Sequence, residues 1–322
     1  MSPGGPEVLS FDVIDDPRPA AGQVVVAVAA AGVNFIDVYH REGIYPVEHP
    51  RVLGTEGAGT VTAVGDAVSG AAVGDRVAWA GGSAGSYATS TVVDATQLVP
   101  VPDEVPTEIA AAAMLQGLTA HALATGVFPV AAGQDVLVHA GAGGVGLLLT
   151  QIAAARGARV ITTVSTEAKA KASREAGAAD VIRYDELDDL TTELPERVRK
   201  LTSGAGVHTV FDGVGRSTFD ASLASLRPRG GLALFGGASG QVPPVDPQRL
   251  NRAGSVYLTR PSVWDYITPR AALLDRAAQL FAVISSGDLD VAISARFPLV
   301  DAADAHRALE GRATTGKVLL IP

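Results

Sequence analysis

The chain has 322 residues, a formal net charge of −9 and no cysteine. That length exceeds what one hydrophobic core serves, so two domains are expected. The absence of cysteine excludes disulfides, thiolate nucleophiles and Cys-ligated zinc. The acidic balance argues against a nucleic-acid or anionic-membrane surface. Residues 1–7 lack the apolar core a signal peptide needs. The longest nearly apolar run, residues 24–33, is too short to span a bilayer. A soluble cytoplasmic protein is the expectation.

Residues 1–118 read as β-rich. Strands are expected at 23–29, 57–64, 76–80, 87–93 and 97–99, with Gly65-Asp66 and Gly74-Asp75 as turns. Val-rich strands broken at short intervals by glycine turns suggest a compact, partly open barrel. Within this part, residues 33–46 place Asn34, Tyr39 and Tyr45 near a loop. A Tyr hydroxyl on an apolar wall can orient a carbonyl, which suits a substrate pocket. Core packing of Tyr39 and loop capping by Tyr45 are the structural alternatives. Glu56 stands among glycines with neither Cys nor a nearby His pair, so it reads as a buried, hydrogen-bonded carboxylate rather than a metal ligand.

Residues 110–123 read as a helix, a break at Gly117 and a second helix. Beyond them lies the most informative stretch, an apolar strand running into Gly141, Gly143 and Gly146, spaced G-x-G-x-x-G, and then an apolar helix. In that context Gly141 serves the tight turn, Gly143 the close approach of a pyrophosphate, and Gly146 helix–strand packing. The helix N-terminus adds unpaired N–H groups and the positive dipole end. Strands at 135–139, 159–164, 180–182, 208–211, 231–235 and 255–258 alternate with helices at 145–155, 166–176, 189–202 and 218–226. This is the pattern of a doubly wound parallel sheet, an α/β fold.

The tip of the second of these strands decides the cofactor. An NAD site places a carboxylate about 20 residues beyond the glycine loop. Here Ser165 and Thr166 occupy that place, with Lys169 one helical turn on. Hydroxyls and a cation suit a 2′-phosphate, so NADPH is expected, and Glu167 is read as a helix cap. The glycine-rich loops 212–216 and 235–240 bring Val214, Arg216, Phe235 and Gly236 toward the cofactor or merely make tight turns; Arg216 reads equally as a solvated arginine. Arg260 precedes Pro261, which fixes its turn, and could offer a cation to the substrate. A helix is expected over 270–285. The terminal strand is expected to rejoin the first domain, giving one discontinuous domain (1–118 and 259–322) around a second (119–258).

Taken together, several stretches resemble the quinone oxidoreductases of the medium-chain dehydrogenase/reductase superfamily, the zeta-crystallin-like group. They are Gly5-Pro-Glu-Val-Leu9, Val33-Asn-Phe-Ile-Asp37, Gly54-Thr-Glu56, Val73-Gly-Asp-Arg-Val77, Leu115-Gln-Gly-Leu-Thr119, residues 139–146, residues 212–216, Thr259-Arg-Pro261 and Leu319-Leu-Ile-Pro322. The resemblance implies a GroES-like catalytic domain built from both chain ends around an inserted Rossmann domain. It also implies a homodimer joined through the edge of the Rossmann sheet. Gly143, Gly144 and Val145 would meet the pyrophosphate. Ser165, Lys169 and Tyr184, assisted by Arg312, would hold the 2′-phosphate. Asn34, Tyr39, Tyr45, Gln116, Thr119 and Arg260 would surround the nicotinamide and the quinone. Zinc alcohol dehydrogenases of the superfamily carry Gly-His-Glu where this chain has Gly54-Thr-Glu56, so no metal is expected. The family's extra N-terminal strand before the Gly-Pro-Glu-Val motif is nearly lacking here.

The implied reaction is hydride transfer from NADPH to a quinone or another conjugated carbonyl, with Tyr45, Asn34 and Arg260 as donors to the developing oxyanion. An NADPH-dependent enone or alkenal reductase is the nearest alternative. A non-catalytic NADPH-binding protein, crystallin-like or RNA-binding, is the alternative of another class. The missing basic stripe speaks against RNA.

Overall fold

A computed structural model describes residues 3–81 and 85–322, which form two compact units. One comprises the chain up to Leu118 together with Ile267–Pro322, and the other is Thr119–Tyr266. In chain order the first unit begins with β1 (Gln23–Val33), α1 (Phe35–Arg41), β2 (Glu56–Val64), β3 (Arg76–Ala80), β4 (Ser90–Asp94) and β5 (Leu98–Pro100). Helix α2 (Thr107–Ala122) follows. The second unit holds β6 (Asp135–Val138), α3 (Gly144–Ala155), β7 (Arg159–Val164), α4 (Glu167–Glu175), β8 (Asp180–Arg183), α5 (Leu190–Leu201), β9 (Val207–Asp212), α6 (Phe219–Ser225), β10 (Leu226–Leu234), α7 (Gln248–Arg252), β11 (Tyr257–Thr259) and α8 (Val263–Tyr266). The chain then gives α9 (Arg270–Ser285), β12 (Ile293–Pro298), α10 (Ala302–Glu310) and β13 (Lys317–Ile321) to the first unit.

In the first unit the strand order is β12-β13-β1-β2-β3-β5, with β4 also paired to β1. The eleven-residue β1 is long enough to serve three neighbours. Gln23–Ala27 pair with β4, Ala31–Val33 with β13, and Val24–Ala31 with β2 on the other edge. Consecutive residues of β1 are buried at Val24–Val26 and Ala30–Val33, so both faces are covered there and the strand reads as a nearly continuous Val/Ala run. Val24, Val26, Val28, Val61, Val77 and Trp79 form the core beneath it. The sheet does not close into a barrel. The expected strand at 87–93 begins only at Ser90, because the Tyr87 N–H is taken by the Leu53 carbonyl and the Ala88 N–H by that of Ser86.

The expected break at Gly117 is absent, and α2 runs through it to Ala122. A Cβ there would sit 2.6 Å from Leu280 Cδ2, so this glycine provides space for α9 rather than a stop. A π-helical turn at Leu123–Val127 ends the helix instead.

The second unit is a six-stranded parallel sheet of order β11-β10-β9-β6-β7-β8. The order reverses between β6 and β9. In a doubly wound sheet that is the switch point, where the strand ends open a crevice for a ligand. Among the described residues no helix is long and apolar enough to cross a membrane.

Candidate active site

The glycine loop joins β6 to α3 at the switch point. The left-handed residue of its turn is Ala140 (φ +52°), not Gly141 as the spacing suggested. Gly141 is needed for space, since a Cβ would lie 2.5 Å from Thr162 Cβ. At Gly146 a Cβ would lie 2.2 Å from the Ala140 carbonyl oxygen, so α3 approaches the turn as only glycine allows. Gly143 differs from both. Its Cβ would meet only Ala140 atoms, at 3.2 and 4.0 Å, leaving its outer side open. It is the N-cap of α3, so the N–H groups of Gly144, Val145 and Gly146 are first-turn donors without intrahelical acceptors. This cradle fits a pyrophosphate.

The residues expected to meet a 2′-phosphate lie at and just beyond the neighbouring strand ends. Parallel register sets Val164 opposite Arg183, which brings Ser165 and Tyr184, the next residue of each strand, to the same level. Both are half-buried. Lys169 lies in the first turn of α4, its N–H donated to Thr166 Oγ1 at 3.3 Å. Thr166, not Glu167, is therefore the cap. Glu167 instead pairs with Arg174 (2.9 Å) and Arg183 (3.3 Å). The Arg174 bond first, then the charges of both arginines, hold its carboxyl below the usual range. Arg183 also meets Asp185 at 2.7 Å and Glu186 at 3.1 Å, a cation at this edge that the spacing gave no reason to single out. Arg312 belongs to the first unit, exposed and left-handed (φ +55°) just past α10.

Behind the cradle a buried polar network ties three strand ends together. Ser222 Oγ donates to Asp212 Oδ2 at 2.7 Å and therefore accepts from His139 Nε2–H at 2.9 Å. His139 Nδ1 is left as acceptor for the Thr163 hydroxyl at 2.9 Å. Burial pushes the His139 pKa down, consistent with this neutral tautomer. Asp212 also accepts the N–H groups of Val214 (2.8 Å) and Gly215 (3.0 Å), which folds the 212–216 loop. That loop lies against the next one: Phe235 and Gly236 donate their N–H groups to the Asp212 carbonyl, and the Arg216 N–H goes to Gly240. The Arg216 side chain is exposed and bonds the Gln241 carbonyl at 3.1 Å. Arg260, exposed beyond β11, donates to the Leu234 carbonyl at 3.0 Å. Thr119, half-buried on α2, opens this unit.

The other expected site residues lie in the first unit. Asn34 is the N-cap of α1, and its backbone N–H goes to Asp37 Oδ2 at 2.9 Å. Its side chain turns inward. Nδ2 donates to Glu56 Oε1 at 2.6 Å, while Oδ1 accepts from Lys317 Nζ (2.9 Å) and Gln116 Nε2 (3.1 Å). Glu56 and Lys317 form an ion pair, exposed by 0% and 1% respectively, and Glu56 Oε2 also takes the Leu115 N–H at 2.6 Å. The structure thus joins Asn34 to Gln116 and commits the Asn34 amide to internal partners, which leaves Tyr45 as the expected oxyanion donor of this unit. Tyr39 and Tyr45 pack edge to face, centroids 5.2 Å apart, with Phe35 6.2 Å from Tyr39. Both tyrosines are half-buried. Among the described residues no three His, Asp or Glu side chains are grouped to hold a metal ion.

Comparison with known proteins agrees with this architecture. Residues 20–103 match the family model "Alcohol dehydrogenase GroES-like domain" and residues 144–271 the model "Zinc-binding dehydrogenase". A quinone oxidoreductase of Salmonella typhimurium is 44% identical over 99% of this chain and 97% of its own. The chain belongs to the quinone oxidoreductases of the medium-chain dehydrogenase/reductase superfamily. A mycobacterial protein solved in complex with NADPH superposes with a TM-score of 0.96 at 53% identity, covering 100% of this chain and 98% of that one. A 2-haloacrylate reductase of a Burkholderia species is 38% identical over 99% of this chain and 96% of its own.

The first unit carries a second polar relay beside Asn34, which the sequence gave no reason to single out. Arg41 Nη1 donates to His306 Nδ1 at 3.0 Å, and a guanidinium cannot accept, so the imidazole proton sits on Nε2. From there it is donated to Tyr87 Oη at 3.1 Å, and the phenol donates to Asp37 Oδ2 at 3.2 Å. Asp37 Oδ1 accepts the Thr55 hydroxyl at 2.6 Å. Burial raises the Asp37 pKa from 3.8 to about 6 against the lowering effect of the Thr55 bond. Burial and the Arg41 charge lower that of His306 from 6.5 to about 4.

Proposed function

We infer that this chain reduces quinones at the expense of NADPH, by hydride transfer that needs no metal. The observation that carries the reading is the strand-end group of Ser165, Lys169 and Tyr184 beside the open Gly143 cradle, with Glu167 engaged by two arginines. A 2′-phosphate finds a cation and hydroxyls there, while a ribose 2′-OH finds no disengaged carboxylate. NADPH, once bound, supplies the hydride. The protein's contribution is to hold and to orient. The N–H groups at the start of α3 fix the pyrophosphate, and the loops at 212–216 and 235–240, braced by His139 and Asp212, shape the crevice at the switch point. Tyr45 stabilises charge on the acceptor oxygen, and the apolar ring faces of Tyr39 and Phe35 suit a flat acceptor.

The likeness to a 2-haloacrylate reductase favours a second reading, hydride delivery to an activated carbon–carbon double bond. Oxidation of NADPH followed by absorbance, with a panel of quinones and enals and with NADH in parallel, separates the two. Turnover of quinones with NADPH and little with NADH supports the main reading. Turnover of enals alone replaces it with the second. Tight NADPH binding with no acceptor reduced would make the protein a cofactor-binding module. We further propose a cytoplasmic homodimer joined at β11, the edge strand whose Tyr257 is 62% exposed; light scattering tests the dimer.

A further inference from the structure

Glu56 and Lys317 are fully buried charges with no part in the reaction as described above. Their surroundings are built for them. Gly32 on β1 leaves room for the carboxylate, since a Cβ there would lie 2.2 Å from Glu56 Oε1. The two residues are held by different ends of the unit, Glu56 at the start of β2 and Lys317 at the start of β13.

An amide side chain has a donor end and an acceptor end, and swapping them costs little unless the neighbours are one-sided. Here they are. An ammonium can only donate and a carboxylate can only accept. Lys317 Nζ at Asn34 Oδ1 and Glu56 Oε1 at Asn34 Nδ2 therefore permit one amide orientation. The consequence passes outward. Asn34 Oδ1 accepts only from the Nε2 end of Gln116, so the Gln116 amide is fixed as well, with its Oε1 directed away and without a partner in the structure. We propose that Lys317 and Glu56 are positioning residues, an ion pair that sets the amide polarity of Asn34 and, through it, of Gln116. This rests on the proposed quinone reduction and on the placement of Gln116 beside the nicotinamide and quinone that the family resemblance implies.

The test separates polarity from charge balance. Lys317→Met alone strands the Glu56 charge and is expected to lower thermal stability as well as kcat. The double variant Lys317→Met/Glu56→Gln removes both charges at similar volume, so the melting midpoint is expected to recover toward that of the native protein. In Glu56→Gln the amide oxygen must accept the Leu115 N–H that Glu56 Oε2 accepts, so the NH2 end faces Asn34 and the polarity set by the carboxylate is reversed. At saturating NADPH the kcat of the double variant with a quinone is expected to fall at least tenfold, with the NADPH Kd, read by fluorescence titration, within threefold of the native value. A folded double variant with kcat within twofold of native overturns the proposal and leaves the pair a packing element. So does a fall in kcat matched by an equal weakening of NADPH binding. If the double variant does not fold, Lys317→Met/Glu56→Leu carries the same test, because it too removes both one-sided groups, and the same kcat and Kd limits apply. Gln116→Ala is run beside them. Unchanged kcat in that variant defeats the placement of Gln116 itself. A lowered kcat there, with an unaffected double variant, defeats only the role of the ion pair.

Discussion

Asp37 and His306 sit two hydrogen bonds apart, through Tyr87, and their buried environments push stability in opposite directions with pH. The folded-state pKa of Asp37 is raised from 3.8 to about 6, so the native protein holds a proton there that the unfolded chain has released. Its contribution is fully present below 3.8 and is lost as pH rises through 6. The folded-state pKa of His306 is lowered from 6.5 to about 4, so the unfolded chain binds the extra proton. Its contribution is present above 6.5 and is lost as pH falls through 4. Linkage makes each effect about 3 kcal/mol over its window, with opposite signs, so the two nearly cancel between pH 4 and 6.5. Removing one partner should expose the other. His306→Asn keeps an acceptor for Arg41 but cannot titrate. The stability gap between the parent protein and this variant is therefore expected to widen by about 3 kcal/mol as pH rises from 4 to 6.5. For Asp37→Asn the corresponding gap should change by about the same amount in the reverse direction. Urea unfolding followed by Trp79 fluorescence in a Trp264→Phe background reports the first unit by itself, since Trp79 is buried in its core. A gap that stays constant across the pH range, in either variant, refutes the reasoning.

Three further outcomes follow from the second unit. Lys169→Ala removes one charge-assisted contact, worth about 1.5–3 kcal/mol, so NADPH Kd is expected to rise roughly 10- to 100-fold while NADH binding stays unchanged; isothermal titration with both cofactors checks this. Gly146→Ala drives a Cβ toward the backbone oxygen of Ala140, which cannot swing aside as a side chain would. The turn must open at a cost of about 1–3 kcal/mol, and affinity for NADPH and NADH should weaken together, whereas a loss confined to NADPH would contradict the geometry. Ser222→Ala leaves the His139 Nε2–H without its buried acceptor and strips one donor from Asp212. Thermal denaturation should show a loss of about 1–3 kcal/mol, and an unchanged midpoint would mean that water replaces the hydroxyl.

What the sequence disclosed was whatever depends on neighbours close along the chain. The glycine loop could be read because the strand, the turn and the first turn of α3 are contiguous, and the parallel sheet because each β–α pair repeats a local pattern. Ser165 was legible for the same reason, lying at a fixed distance beyond the loop. Local reading failed where a distant partner overrides local preference. Gly117 looked like a break because glycine is a poor helix former, yet Leu280 needs the space and α2 continues. Gly141 looked like the strained residue of its turn, yet Ala140 takes the left-handed conformation and Gly141 makes room for Thr162. Thr166, rather than Glu167, caps α4 because its hydroxyl reaches the Lys169 N–H.

The charged networks were legible least of all, and the reason is physical. Lys317 and Glu56 are 261 positions apart, and Arg41 and His306 are 265 apart. Glu56 was legible as a buried carboxylate but its partner was not, since Lys317 opens an apolar run and Arg41 and His306 stand beside other polar residues, positions that are ordinarily solvated surface. Only the return of the terminal strand and of α10 to the first unit buries them, and burial is what turns an isolated charge into one that must be paired. Asn34 therefore changes meaning between the two levels. In the sequence it is a polar residue at a loop, available to a substrate. In the fold its side chain is the meeting point of a carboxylate, an ammonium and a second amide, and its influence on chemistry runs through the group it orients.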